Sequence, residues 1–252
     1  TILAQFLSAA LCLRRLFRTK EDHRLVLREI RPDREMLRLI LRYGLPSGFQ
    51  NSVIGFANVV VQSNINAFGE LAMSGCGAYA KVEGFAFLPI TSFTSAITTF
   101  VGQNLGAEEF DRAKKGARFG ILCSLLIAEG IGVITHVFSP VFIGAFCDSQ
   151  AAIAFGVDKA HICALFFCLL AATHCLSAVL RGAGRAMVPM VVMLSVWCVL
   201  RVSILWIAVP ITQSINTVNW VYPITWSIST VVLLIYYRKS DWLHSFQREK
   251  AK

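Results

Sequence analysis

The sequence predicts an all-α membrane protein with six spanning helices, and three observations support this prediction. Hydrophobic residues make up 56% of the 252-residue chain and charged residues only 15%, with a mean hydropathy of +0.61. This composition is typical of polytopic membrane proteins and unlike that of soluble domains. Apolar stretches of about 20 residues, the length at which a helix crosses the hydrocarbon core, recur along the chain. The basic residues are concentrated in every second loop between these stretches.

The distribution of charge predicts the topology. The predicted spans are residues 39–68, 75–101, 117–138, 152–180, 187–209 and 220–237. Of the 24 Lys and Arg residues, 21 fall on one side of this arrangement, and the three loops on the other side hold none. Because positively charged loops stay in the cytoplasm, we expect the segment before the first span and the carboxy terminus to be cytoplasmic.

Four regions follow from this topology. Residues 1–13 are apolar but too short to cross a bilayer alone, so we expect them to be the end of a preceding membrane helix. Residues 14–38 form a charged cytoplasmic connector, residues 39–238 the six-helix lobe, and residues 239–252 a cytoplasmic tail. The net charge of +9 lies at the ends of spans rather than on one soluble module. We therefore expect a lipid bilayer as a partner, and no nucleic acid.

The first span carries four amide side chains on one face. They are Asn51, Asn58, Gln62 and Asn66. At about 100° per residue, these four fall within roughly 80° of arc. Amides turned towards lipid are costly, so this face points into the protein or into water. Two interpretations remain open, namely hydrogen bonds between helices and the lining of a hydrated substrate cavity.

The second span repeats the pattern with a carboxylate. Its polar face consists of Glu83, Phe87, Thr94 and Thr98. A carboxylate beside an aromatic ring and several hydroxyls suits a bulky organic cation, through charge attraction and cation–π contact. Lys81 lies about 200° away around the helix, so we expect its ammonium to extend outwards to the membrane surface.

Two further charges lie at the same predicted depth. Glu83, Glu129 and Arg201 are each about 12–13 Å from the outer end of their spans, at 1.5 Å per residue. Arg201 is therefore predicted to pair with Glu83 or with Glu129. Two interpretations stay open for this trio, a structural ion pair between helices and coupling of transport to ion binding at Glu83.

The sequence contains no pattern typical of an enzyme. The eight cysteines form no C-x-x-C pair, and no histidine lies at metal-ligand spacing. The turns GQNLGA and RGAGR lack the Gly-Lys-Ser/Thr of a phosphate loop. We predict that both turns end helices, with glycine supplying the left-handed residue. We expect no enzymatic activity, no resident cofactor and no metal site.

Three segments together carry a family resemblance. KVEGFAFLPI followed by VGQNLGA, with the later LRGAG, resembles the carboxy-terminal lobe of a bacterial multidrug and toxic compound extrusion (MATE) transporter. The resemblance implies a whole protein of twelve spans in two six-helix lobes, in which this chain is the second lobe and the amino-terminal lobe its partner. It also implies export of small organic cations, drugs or metabolites across the bacterial plasma membrane. Alternating access would then be coupled to H⁺ or Na⁺.

The resemblance also leaves open where the coupling ion binds. Some family members place coupling carboxylates in the first and fourth helices of this lobe, where this chain has apolar residues near Ile54 and Leu170. Other members use an aspartate in the amino-terminal lobe. The alternative function is a lipid-linked oligosaccharide flippase of the wider superfamily, which a cation-lined groove would favour. The few intramembrane charges, of mixed sign, favour the antiporter.

Overall fold

The computed structural model describes residues 2–19, 24–27 and 31–244, and it confirms the all-helical prediction. These residues form no β-strand. The helices are α1 Ile2–Arg18, α2 Arg34–Asn66, α3 Glu70–Gly106, α4 Phe110–Gly144, α5 Gln150–Cys163, α6 Phe167–Gly182, α7 Met187–Met193, α8 Arg201–Thr212 and α9 Ile215–Lys239. A 3₁₀ turn at Ala164–Phe166 joins α5 to α6, and a π-helical segment at Leu194–Leu200 joins α7 to α8.

The chain divides into two compact units, Thr1–Arg42 and Tyr43–Lys252. In the first unit, the carboxylate of Asp33 accepts hydrogen bonds of 2.8 Å from the backbone N–H groups of Glu35 and Met36. This cap starts α2 inside the predicted connector, and α1 extends into the connector from the other side. Residues 20–23 and 28–30 of that connector, and residues 245–252 of the predicted tail, lie outside the described residues.

Five of the described helical stretches are long and apolar enough to cross a membrane. They are Glu70–Gly106, Phe110–Gly144, Gln150–Gly182, Met187–Thr212 and Ile215–Lys239. These correspond to the second to sixth predicted spans. The first predicted span corresponds to α2, which has 33 residues and is long enough to cross. Its mean hydropathy is lower than that of the other five helices. Its amide and hydroxyl side chains account for the difference, because each lowers the mean hydropathy of the helix.

Helix α3 packs against α4, α5 and α6 in the second unit. Its approach to α5 depends on a pair of glycines, Gly75 and Gly156. A Cβ atom on Gly156 would lie 2.6 Å from the Gly75 carbonyl oxygen, and one on Gly75 would meet the carbonyl of Ala152. Small residues let membrane helices approach at backbone distance, and this crossing uses them in that way.

The two predicted helix-ending turns behave differently. In RGAGR, Gly184 has φ +77° and the N–H of Arg185 donates to the carbonyl of Leu180 at 2.8 Å, so the predicted left-handed glycine is confirmed. GQNLGA also ends a helix, as predicted, but the predicted left-handed glycine is wrong there. The left-handed residue after α3 is Glu108, with φ +61°, and Gly106 remains the last residue of the helix.

Candidate functional site

A cavity of about 370 Å³ lies between the helices of the second unit. Its wall combines side chains from α2, α3, α6, the π-helical segment, α8 and α9. The lining residues are Asn51, Ile54, Asn58, Ala80, Glu83, Gly84, Phe87, Leu170, His174, Trp197, Arg201, Tyr222 and Trp226. The wall is therefore mainly apolar and aromatic, with a few amide and charged groups, which is the usual make-up of a site for small organic molecules.

The structure divides the four amides of α2 into two pairs. Asn51 and Asn58 line the cavity. All four side chains are exposed, but Gln62 and Asn66 lie outside the cavity near the end of α2, where the Gln62 Nε2 donates to the Asn66 Oδ1 at 2.8 Å. The helix continues beyond the end of the cavity, so a shared face does not guarantee a shared environment. Part of the predicted polar face thus belongs to the site, and part is bonded within its own helix.

The polar face of α3 is also divided along its length. Glu83 and Phe87 line the cavity, with Glu83 half-buried. Thr94 lines a second cavity of about 390 Å³, although its hydroxyl donates to the Ile90 carbonyl at 2.7 Å. Thr98 lines neither cavity. Its hydroxyl donates to the carbonyls of Thr94 at 2.9 Å and Ala178 at 3.3 Å, and so joins α3 to α6.

The two cavities share part of their wall. Asn51, Ile54, Phe87 and His174 line both of them. The second cavity continues from this shared wall to Arg181 and Met193, towards the end of α6. Arg201 lines only the first cavity and Arg181 only the second, so the shared wall separates the two basic residues. We refer to the two cavities together as the paired cavity.

Arg201 is buried at the wall of the first cavity and is held by aromatic rings and a hydroxyl. Its side chain is 1% exposed, and its Nη2 donates to the Thr225 Oγ1 at 2.7 Å. The guanidinium carbon lies 5.0 Å from the Trp197 ring centroid and 4.8 Å from that of Tyr222. Its Nε is buried without a hydrogen-bond partner among the described residues.

The predicted ion pair of Arg201 is not formed. Within the described residues, neither Glu83 nor Glu129 comes within 4.0 Å of the guanidinium. Glu83 lines the same cavity without direct contact. Glu129 lines neither cavity, and its Oε2 accepts a hydrogen bond of 3.1 Å from the backbone N–H of Cys168. The 3₁₀ turn before α6 leaves such N–H groups without helical acceptors, and Glu129 supplies one.

The sequence-based prediction missed Lys159, which is buried near this site. Its side chain is 3% exposed, and its Nζ lies 4.8 Å from the Tyr222 ring centroid and 5.5 Å from that of Tyr79. A signal was present in the sequence, because a lysine in the middle of the span 152–180 is costly unless it is buried in protein.

His174 and Lys81 occupy opposite environments. His174 lies between two aromatic rings of the cavity wall, 5.0 Å from Phe87 and 5.7 Å from Trp197 by centroid distance. Its Nε2 is buried and has no hydrogen-bond partner among the residues that the structure describes. Lys81 is exposed, away from the cavity, with its Nζ 5.2 Å from the Phe146 ring centroid. In the described part of the chain, no group of three His, Cys, Asp or Glu side chains is placed to hold a metal ion.

Comparison with known proteins identifies the family. The MatE family model matches residues 46–207, which include the walls of the cavity on α2, α3 and α6. The chain belongs to the MATE family. It is a multi-pass membrane protein of a transporter family, and not an enzyme.

The MATE relatives are longer than this chain. It is 26% identical over 238 residues to the probable multidrug resistance protein YoeA of Bacillus subtilis (strain 168), covering 94% of this chain and 51% of the relative. It is 29% identical over 204 residues to the probable multidrug resistance protein NorM of Thermotoga maritima, covering 78% of this chain and 42% of the relative. The chain thus spans about half the length of the curated relatives it matches.

Solved MATE structures share the fold. Among them is one in complex with MaL6, with a TM-score of 0.86 at 20% identity, covering 94% of this chain and 54% of the other. Another is an outward-facing multidrug resistance MATE family transporter of the MOP superfamily, with a TM-score of 0.85 at 20% identity. In this MATE chain, Ile54 and Leu170 both line the cavity, so no carboxylate stands at those two wall positions.

Proposed function

We propose that this chain forms one half of a cation-coupled antiporter that exports small organic cations, drugs or metabolites by alternating access. The observation that supports this proposal is the convergence of Asn51, Asn58, Glu83 and Arg201 on one cavity between membrane-spanning helices. Polar groups at membrane depth are costly, and they normally mark a substrate or ion path. The relatives named as probable multidrug resistance proteins support the same general activity.

The wall of the cavity supports the choice of an organic cation. Phe87, Trp197 and Trp226 present aromatic surface around a cavity that also holds the carboxylate of Glu83. Aromatic faces attract cations, and this attraction grows when the cation leaves water. A flat or bulky cation would therefore gain apolar contact from the rings and charge neutralisation from Glu83.

Exchange requires that substrate and coupling ion exclude each other. Among the described residues that line the paired cavity, Glu83 carries the one carboxylate. A proton or Na⁺ on this carboxylate removes the charge that holds an organic cation, so occupancy by one disfavours the other. We propose H⁺ or Na⁺ as the coupling ion and no resident cofactor.

The proposed antiporter requires a second lobe and a lipid bilayer. An amino-terminal six-helix lobe of the same polypeptide would close the other side of the cavity. The positive-inside distribution of Lys and Arg supports a bacterial plasma membrane location with a cytoplasmic carboxy terminus. The 3₁₀ turn at Ala164–Phe166 and the π-helical segment at Leu194–Leu200 are irregular points about which spanning helices can bend.

The test is ethidium efflux from cells that express the full-length protein. Glu83→Gln removes the charge while preserving size, and we expect it to reduce efflux about tenfold or more, the scale of losing one buried charge interaction. Glu129→Gln is the matched control, because that residue lines neither cavity and glutamine can still accept the Cys168 hydrogen bond. Wild-type efflux in Glu83→Gln, at equal membrane abundance, would remove Glu83 from the mechanism.

One observation favours the alternative, a flippase for lipid-linked oligosaccharides. Arg201, Arg181 and the buried Lys159 make the surroundings of the paired cavity more basic than the sequence-based prediction assumed. Such a flippase would bind a phosphorylated lipid rather than a soluble dye. Loss of cell-wall or surface glycan assembly in a deletion strain, with unchanged dye sensitivity, would support this alternative over the antiporter.

A further inference from the structure

We infer that the paired cavity binds the anionic group of an amphipathic molecule, with Arg201 as its direct partner and Lys159 adding positive charge from behind Tyr222. This inference rests on the proposed function, because it assumes that the cavity is part of a transport path. It deepens that function by naming a second chemical class of ligand.

The charge balance around the paired cavity is positive. Arg201 lines its first cavity and Arg181 its second, and Glu83 carries the one carboxylate among the described lining residues. Lys159 adds a third basic group, buried against the Tyr79 and Tyr222 rings of the adjoining wall. Two basic side chains in the lining and one behind it therefore stand against one acidic side chain. One carboxylate cannot balance three buried or partly buried cations, and uncompensated buried charge is costly, so such a site attracts an anion.

The basic groups also keep unused hydrogen-bonding capacity. In the described part of the chain, Arg201 makes one hydrogen bond, through Nη2 to Thr225, while its buried Nε has no acceptor. No carboxylate described in the structure comes within 4.0 Å of Lys159 or Arg181. A guanidinium has five N–H donors in a planar fork that matches carboxylate and phosphate oxygens. The free donors of Arg201 therefore suit an anionic oxygen group.

The rest of the wall indicates what the anionic group is attached to. Between Arg201 and Arg181 the wall is formed by Ile54, Phe87 and His174, with Trp197 and Trp226 on the Arg201 side. This surface suits an aromatic or aliphatic body rather than an inorganic ion. Arg181 lines only the second cavity, where it would meet the anionic group of a molecule that enters from that side. The ligand class is an acidic amphiphile, bearing either a carboxylate or a phosphate.

The experiment measures binding to the purified full-length protein in a neutral detergent. The probe is a dansyl-labelled undecanoic acid, and its methyl ester is the neutral control with the same body. We expect the acid to bind about tenfold more tightly than the ester, as one additional charge interaction in a partly buried site provides. Equal affinity of the acid and the ester for the wild-type protein would overturn the proposal, and this comparison needs no variant.

Variants assign the effect to named residues. Arg201→Gln is expected to weaken binding of the acid by up to about tenfold, and Lys159→Met by a smaller factor because Lys159 acts from behind the wall. Both variants should leave binding of the ester unchanged. Lys81→Met is the matched control, because Lys81 is exposed on the other side of α3 and contacts Phe146. Unchanged binding of the acid in both Arg201→Gln and Lys159→Met would overturn the assignment. If Arg201→Gln does not elute as a single species in size-exclusion chromatography, the binding of the acid to Lys159→Met tests the assignment alone.

Glu83→Gln separates this inference from the proposed function. Removing the carboxylate leaves the cavity more positive, so we expect tighter binding of the acid in the same variant that loses ethidium efflux. Tighter acid binding with unchanged efflux would support the anion site and contradict the role of Glu83 in transport. Reduced efflux with weaker acid binding would contradict the anion site.

Competition then distinguishes two sources of the anionic group. Oleate and oleoyl lysophosphatidic acid carry the same chain with a carboxylate or a phosphate head. Stronger displacement of the dansyl probe by the phosphate compound would support a lipid headgroup as ligand. Equal or stronger displacement by oleate would support a free organic acid. Failure of both to displace the probe would overturn the site.

Discussion

Lys159 and Arg201 lie over the same aromatic ring, with the Nζ of one and the Cζ of the other each 4.8 Å from the centroid of Tyr222. The ring belongs to α9, while the two cations come from α5 and α8. The face of an aromatic ring carries partial negative charge, so Tyr222 stabilises two basic groups that no carboxylate in the described residues directly pairs. One side chain thus links three spanning helices at the wall of the cavity.

Replacing Tyr222 tests this role. We expect Tyr222→Leu to lower the free energy of unfolding by about 1–3 kcal/mol, because both cation–π contacts are lost. Tyr222→Phe keeps the ring and should remain close to wild type. The measurement is the thermal unfolding midpoint of the purified full-length protein in detergent. Equal losses in the two variants would show that the hydroxyl, and not the ring, stabilises this region.

The sequence predicted the fold well because long apolar stretches have few alternatives in a bilayer. Five predicted spans correspond to helices that are long and apolar enough to cross. The exception is α2, which is long enough to cross a membrane but more polar than the other five. Its Asn51 and Asn58 line the cavity. The helix that departs from the apolar pattern is therefore the one that contributes amides to the site.

The candidate site could be predicted only in part. Helical periodicity placed Asn51, Asn58, Glu83 and Phe87 on faces that meet at one cavity. Depth alone could not place Glu129, because equal height in the membrane says nothing about which neighbour a helix face meets. Lys159 was missed for a related reason. The rings that surround it, Tyr79 and Tyr222, come from α3 and α9, and only the packing of three helices brings them together.

Cysteine labelling tests whether water reaches the amide face of α2. In a background without the native cysteines, we expect Asn58→Cys to react with a charged thiosulfonate reagent about tenfold faster than Phe56→Cys. The thiolate is the species that attacks the reagent, and it forms where water reaches the thiol. Asn58 lines the cavity, whereas Phe56 is 65% exposed on the outside of the same helix. Equal rates, or no reaction at Asn58→Cys, would indicate a dry cavity and contradict a transport path.

The hydrogen bond of Glu129 predicts a stability effect without a transport effect. Glu129→Leu leaves the Cys168 N–H at the irregular start of α6 without its acceptor, which costs about 1–3 kcal/mol. Glu129→Gln retains an acceptor and should unfold close to the wild-type midpoint. The measurement is the thermal unfolding midpoint of each variant in detergent. A midpoint for Glu129→Leu that equals that of Glu129→Gln would show that the bond contributes nothing.

The Gly75–Gly156 crossing gives a prediction with a control of the same chemical type. A methyl group at Gly156 would lie 2.6 Å from the Gly75 carbonyl oxygen and 2.9 Å from the Ile143 side chain, so Gly156→Ala must push α5 away from α3. We expect this variant to lose about 1–3 kcal/mol of stability, as overpacking typically does.

The control is Gly77→Ala, on the same helix as Gly75, because its added methyl group meets no atom within 4 Å. Because alanine also restricts the unfolded chain, the midpoint of Gly77→Ala should equal or exceed that of the wild type. A Gly156→Ala midpoint at or above that of Gly77→Ala would mean that the two helices do not cross at backbone distance.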